Sequence, residues 1–193
     1  MGAGHSNDEP RAVYAAEGGI SKRASLWRTM SDEDFAADCD FEAFRASGPG
    51  GQKRNKTSSA VRLTHRPSGE SAIASESRSQ HDNRRAALRR LRHRVVVHCR
   101  EPITFGAFAT PEWFETLKVG GRIDIGPKSE LYLPLVGLIL DVLAAGGWSV
   151  SEAARSLGMT TSALVVFLQA DQKVMTHVNQ SRVALGLKTL GTD

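Results

Sequence analysis

Cysteine is scarce in this 193-residue chain: there are two, Cys39 and Cys99. Neither belongs to a CxxC pair and no His/Cys cluster has zinc-site spacing, so the sequence argues against a disulfide framework and a structural metal. Two free thiols in a reducing compartment are expected. Long apolar runs are missing as well. The longest, Leu131 to Ala145, is interrupted by Pro134 and Asp141 and falls short of the ~20 residues that a membrane-spanning helix needs. The first thirty residues lack the apolar run of a secretory signal, and Asp8, Glu9 and Glu17 fit poorly with an acid-poor transit peptide. MGAGHS matches the loose pattern for myristoylation at Gly2, with nothing basic or apolar behind it to support an anchor. The cytoplasm is the expected compartment, with no membrane partner. No Walker or dinucleotide fingerprint occurs, so ATP, GTP and NAD are not expected, and no other cofactor is. His65, His81 and the remaining histidines do not stand at mutual metal or triad spacing, which assigns them structural or incidental roles.

What the chain does have is a segregated charge. Its net +4 divides into three unlike segments. Residues 1–46 hold 5 basic and 9 acidic residues, 47–100 hold 13 and 3, and 101–193 hold 7 and 9, giving balances of −4, +10 and −2. Nearly all the positive field therefore sits in the middle segment, the footprint of a module that faces a polyanion.

Residues 1–30 show no apolar period and read as a flexible leader. Ser31 is a good N-cap for a short helix over Ser31 to Phe35, with Asp32, Glu33 and Asp34 in the first turn, where carboxylates suit the helix dipole. Phe41 to Ala46 reads as a strand leading into SGPGGQ, which is too glycine-rich for helix or sheet. Ala60 to His65 alternates with the period of a half-buried strand, and the turn Arg66-Pro67-Ser68-Gly69 returns the chain as an antiparallel partner over Glu70 to Glu76. Ser79, with Asp82 at N3, opens a basic amphipathic helix whose apolar stripe is Ala87, Leu88, Leu91 and Val95. Six arginines (Arg84, Arg85, Arg89, Arg90, Arg92, Arg94) fall mostly outside that stripe. Pro102 to Pro127 has no clear period and is expected to be an irregular connection or a small accessory element. Residues 128–190 read as helical: one helix from Leu131 or Pro134 to Ala145, a pair over Ser149 to Leu157 and Thr160 to Leu168, and a last one over Gln172 to Leu185. Trp148, Leu164, Phe167 and Leu168 are expected in the core. The fold class expected is α+β, a small mixed or antiparallel sheet with one basic helix and a glycine-rich loop (31–100), then a connection (101–127) and an all-α helical domain (128–193).

The stretch from Phe44 to Arg92 carries the chemistry. FRASGPGGQ, Asn55-Lys56-Thr57, the strand SAVRLTH, the turn RPSG and Glu76-Ser77-Arg78-Ser79-Gln80-His81 before a basic helix follow one another in order. Over about a quarter of the chain this series resembles the catalytic domain of class I peptide chain release factors and their codon-independent relatives that rescue stalled ribosomes. The resemblance implies that Gly50, Gly51 and Gln52 enter the rRNA of the peptidyl-transferase centre and promote hydrolysis of peptidyl-tRNA. It also implies that the Gln52 N–H stabilises developing negative charge, and in the family this glutamine is often N5-methylated. The family usually has His-Val after the glutamine; Lys53-Arg54 stand here and add positive charge beside the loop. Arg45, Lys53, Arg54, Lys56, Arg78, Arg84 and Arg85 are the candidate phosphate contacts, with Asn55 and Gln80 beside them in the matched segments.

Full-length members of that family read the stop codon with a domain that precedes the catalytic one by many residues. About 40 residues precede the motif here, so codon-independent action is expected. Rescue-type relatives carry a basic C-terminal tail, which the last sixty residues do not resemble. Ser149 to Gln169 instead looks like a helix-turn-helix. Its second helix has Thr160, Thr161, Ser162 and Gln169 as polar residues and no Arg or Lys, so packing or docking is favoured over DNA binding. The expected partners are the ribosome and peptidyl-tRNA, bound by a monomer. The rival expectation is a non-catalytic nucleic-acid-binding regulator that uses the C-terminal helices; a third is a basic RNA-binding protein acting off the ribosome.

Overall fold

The computed structural model describes residues 24–45 and 59–191. The leader expected over 1–30 does not extend through its last residues, because Ala24–Thr29 forms a helix, α1. Trp27 is the reason: its indole is buried against His65 and anchors the segment. Next comes α2 (Asp32–Ala37), where Ser31 Oγ accepts a hydrogen bond from the Asp34 N–H at 3.0 Å and three carboxylates occupy the first turn. The helix is the expected one, running two residues further, to Ala37.

Three strands follow: β1 (Cys39–Phe44), β2 (Ala60–His65) and β3 (Ser71–Ala74), paired antiparallel in the order β1-β2-β3. Strand β1 begins two residues before the sequence pattern suggested, since Cys39 pairs with His65 at the far end of β2. Val61, Leu63 and His65 are buried on one face, and the turn that closes at Gly69 (φ +70°) sends the chain back. On this face lies α3 (Gln80–His98), capped by Ser79 Oγ accepting from the Asp82 N–H. Its residues Ala87, Leu91 and Val95 join Trp27, Phe35, Val61 and Leu63 in one core. His65 sits among them, edge-on to Trp27 and stacked on Phe35.

The same helix serves a second core. Val96 and Val97 point into the C-terminal helices, so α3 is more than the one-stripe element its pattern suggested. The stretch after it proves to be the accessory element rather than an irregular connection. It contains a 3-10 turn (Phe105–Ala107), α4 (Glu112–Thr116) and a two-stranded ribbon of β4 (Lys118–Val119) and β5 (Arg122–Ile123). Phe114 is buried and Lys118 Nζ donates to the Leu157 carbonyl at 3.0 Å, which docks the ribbon.

Four helices complete the described chain: α5 (Tyr132–Ala145), α6 (Val150–Ser156), α7 (Thr161–Gln169) and α8 (Gln172–Ala184). Pro134 is tolerated because it lies in the first turn of α5, where backbone N–H groups have no intrahelical acceptor. Side chains of Ser149, Thr160 and Asp171 cap the other three. Helicity stops at Ala184, short of residue 190; Gly186 (φ +73°) turns the chain back, where Asn179 Oδ1 accepts from the Leu190 N–H at 2.8 Å. Trp148, Leu164, Phe167 and Leu168 are all buried, as the pattern suggested. Trp148 does so with φ +59°, in the left-handed region that bulky residues avoid. Its N–H bonds the Leu143 carbonyl at 2.7 Å and closes the end of α5.

The two cores are joined by a buried ion pair. From α1, the Arg28 guanidinium donates to both carboxylate oxygens of Asp141 in α5, at 2.6 and 2.9 Å. Arg100 approaches the same carboxylate at 3.3 Å, and the Glu101 N–H donates to it at 3.0 Å. Gly137 leaves room for this: a Cβ there would lie 2.2 Å from Arg28 Nε. A second tie runs from His93 in α3 to Asp171 at the start of α8, at 2.6 Å. Burial works to raise the Asp171 carboxyl, but the His93 hydrogen bond and charge and two backbone N–H groups outweigh it and hold it at about 2. Among the described residues no single helix is long and apolar enough to cross a membrane; α5 and α6 meet that test only together, bent by 120°.

Candidate nucleic-acid interface

The register of the sheet gathers the described candidate residues at one end of it. Phe44 pairs with Ala60, so the connection carrying the glycine-rich motif leaves and re-enters the sheet at adjacent strand ends. Val61 pairs with Ala74, so β3 also finishes at that end. The chain then crosses through Arg78 into the first turn of α3, which holds Gln80 and, one turn on, Arg84 and Arg85. Arg45, Arg78, Gln80, Arg84 and Arg85 are all exposed there. Gly50, Gly51, Gln52, Lys53, Arg54, Asn55 and Lys56 lie outside the described residues.

The arginines of α3 divide into two sets. Arg90, Arg92 and Arg94 are paired with Glu76, Asp32 and Glu70 respectively. Arg92 is the most engaged: it stacks over Phe35 at 4.8 Å and donates to the Met30 and Ser31 carbonyls. These three hold α3 against α2 and the sheet. Among the described residues Arg84, Arg85 and Arg89 have no carboxylate partner; Arg84 lies over the exposed Phe41 ring at 5.4 Å. The free positive charge therefore collects on the N-terminal half of α3, at the motif end of the sheet. A shallow groove beside it is lined by His81, Arg84, Arg85 and Leu88 from α3 and by Asp32 and Glu33 from α2. Those two carboxylates bound the positive surface on that side, since a polyanion is repelled from them.

Unpaired cations on one helix face, grouped beside a sheet edge, suit phosphate contact at several points along a backbone; they form no enclosed cavity for a small ligand. His65 is not part of this surface. Its Nδ1 is 2.7 Å from Ser68 Oγ and its ring is fully buried; burial first, and then the Arg66 charge, against the opposing pull of Asp38, hold its pKa down. Cys39 and Cys99 are free thiols, each pushed up to about 11, chiefly by burial.

Two residues of this architecture escape a reading of sequence patterns. Arg28 was placed in the leader, and its partner is 113 residues away. Asn83 is buried, and it carries a signal that was available: the four-residue spacing of Val95, Leu91 and Ala87 runs back to it. A carboxamide in an apolar stripe marks a buried polar contact.

Comparison with known proteins agrees with this geometry. The RF-1 domain family matches residues 34–102. Peptide chain release factor 2 of Variovorax paradoxus (strain S110) is 55% identical over 62 residues, 32% of this chain and 17% of that protein. Peptide chain release factor 1 of Acidiphilium cryptum (strain JF-5) is 48% identical over 73 residues, covering 38% and 21%. Peptide chain release factor 1 of Arthrobacter sp. (strain FB24) is 34% identical over 125 residues, covering 52% and 35%. The sheet and basic helix are thus the part of the chain that matches the RF-1 domain and is similar to peptide chain release factors 1 and 2. In these relatives the match spans no more than 35% of the relative's own length.

Proposed function

We propose that the protein hydrolyses the ester bond of peptidyl-tRNA on the ribosome, in the cytoplasm, without reading a codon. The observation that carries this reading is the RF-1 domain match over residues 34–102, within which the motif GPGGQ stands between two paired strands. Hydrolysis requires water to attack the ester carbon while negative charge grows on the carbonyl oxygen and on the departing ribose oxygen, and preorganised donors at that point are the main lever. Gly50 and Gly51 admit backbone angles closed to other residues and let the chain approach RNA with no side chain between. The Gln52 N–H then meets the developing charge, and the Gln52 side chain occupies the water site and excludes larger nucleophiles. Arg45, Lys53, Arg54, Lys56, Arg78, Arg84 and Arg85, with Asn55 and Gln80, bind the surrounding rRNA and tRNA backbone.

The rival, a non-catalytic nucleic-acid-binding regulator, has one observation in its favour: α6, the Gly158 turn and α7 fold as the helix-turn-helix pattern suggested. Against it, the exposed face of α7 offers Thr161, Ser162 and Gln169 and no cation. The two readings separate in a peptide-release assay on ribosomes with Gly51→Ala and Gln52→Ala beside the wild type. A fall of about 100-fold or more in release rate for Gly51→Ala is expected; equal rates in wild type and Gly51→Ala would remove the motif from the chemistry.

A further inference from the structure

Asn83 stands where the apolar stripe of α3 would place a fourth apolar side chain, and it is 1% exposed. A carboxamide at that depth is tolerated only with partners. Asn83 has them in three directions: Nδ2 donates to the Ser59 carbonyl at 2.6 Å and to the Ser77 carbonyl at 2.8 Å, and Oδ1 accepts from the Ser77 N–H at 2.9 Å. Ser59 is the residue at which the chain returns to the sheet, immediately before β2. Ser77 lies in the crossing from β3 to α3. One side chain thus pins three segments to each other: the foot of the motif-bearing connection, the crossing that carries Arg78, and the helix turn that carries Gln80 and Arg84.

We infer that Asn83 is a positioning residue, which sets the point and direction from which the chain carrying Gly50, Gly51 and Gln52 is presented. The inference rests on the hydrolase reading for what is being presented. Ser59 follows Gln52 by seven residues in the sequence. Only an amide meets the contacts. A carboxylate at position 83 keeps the acceptor for Ser77 N–H but turns negative charge on two carbonyl oxygens, and an apolar side chain leaves all three backbone groups without a partner.

The test compares Asn83→Asp and Asn83→Leu with the wild type in peptide release from ribosome-bound peptidyl-tRNA, across a range of protein concentrations. Leu91→Ala, a core substitution in the same helix, controls for loss of fold. Both Asn83 variants are expected to lower the maximal rate by about 10–100-fold, with the half-saturating concentration within about twofold of wild type, while Leu91→Ala lowers the melting temperature and keeps the maximal rate below its transition. An unchanged maximal rate in Asn83→Asp, or a loss that tracks melting temperature as in Leu91→Ala, overturns the inference. A wild type without release would sink the hydrolase reading alone, and amide hydrogen exchange then decides: Asn83→Asp should speed exchange at residues 59–61 by about tenfold or more while Val95–Val97 stay protected. Unaltered exchange at 59–61 would overturn the positioning role.

Discussion

His177 of α8 is the side chain whose charge state the fold controls most sharply. Its ring is packed against Trp148 and His98, and burial, followed by the charges of Arg100 and His98 and opposed by Glu70, drives its pKa down to about 3. The folded value lies below the ordinary 6.5, so as pH falls the unfolded chain takes up this proton first. The stability that rests on neutral His177 is complete above about pH 6.5 and is lost as pH falls toward 3, at up to about 1.4 kcal/mol per pH unit. His65 acts in the same sense. Replacing His177 with Gln should flatten unfolding free energy against pH between 6.5 and 5 in denaturant titrations; an unchanged slope would mean the ring is hydrated. At this scale the sequence showed which residue types were present and little of what they touch. Asn83, Arg28 and His177 gain their roles from contacts across the chain, which no local period records. The Gly-Gly-Gln motif was legible because its neighbours in sequence carry it.

Helices and strands were the most legible level, because caps and periods are local. Ser31 and Ser79 cap the helices they were expected to cap, and Ser149 and Thr160 cap the two that the pattern began at them. Strand β1 was misplaced by two residues because its register is set by pairing with β2, which is not local. The division of the arginines of α3 was not legible either, since their partners Glu70, Glu76 and Asp32 come from other elements. It has a measurable consequence. Arg85→Ala and Arg89→Ala should each weaken ribosome binding and lower the slope of log affinity against log salt by about 1, with melting temperature unchanged. Arg92→Ala should instead lower melting temperature, because it removes the contacts to Asp32, Phe35 and two carbonyls. Helix α5 gives a second case. Ala for Gly inside a helix ordinarily gains up to about 1 kcal/mol, but Gly137→Ala should destabilise here because its Cβ meets Arg28. In an Arg28→Ala background the same change should become neutral or stabilising, a coupling that a double-mutant cycle reads directly.

At the scale of the whole molecule, the RF-1 domain and the C-terminal helices are held as one body by α1, α3 and the Arg28–Asp141–Arg100 cluster. Breaking a buried pair from one side leaves charge without compensation and costs about 3–5 kcal/mol. Asp141→Ala strands two arginines and should destabilise both cores together. Thermal unfolding followed at Trp27 in one core and Trp148 in the other should stay coincident in the wild type; separate transitions there would show the cores to be independent. The overall class, α+β followed by helices, was readable from pattern alone, whereas this joint was not, because half of it lay in a stretch that resembles a leader. We propose that such a body, with the sequence Gly50-Gly51-Gln52 between β1 and β2, cuts peptidyl-tRNA without reading a codon. The most direct measurement is the rate at which labelled peptide leaves ribosomes whose A site holds a stop codon, a sense codon or no codon. Release at comparable rates in all three is expected; release confined to the stop codon, or none in any, would contradict codon-independent hydrolysis.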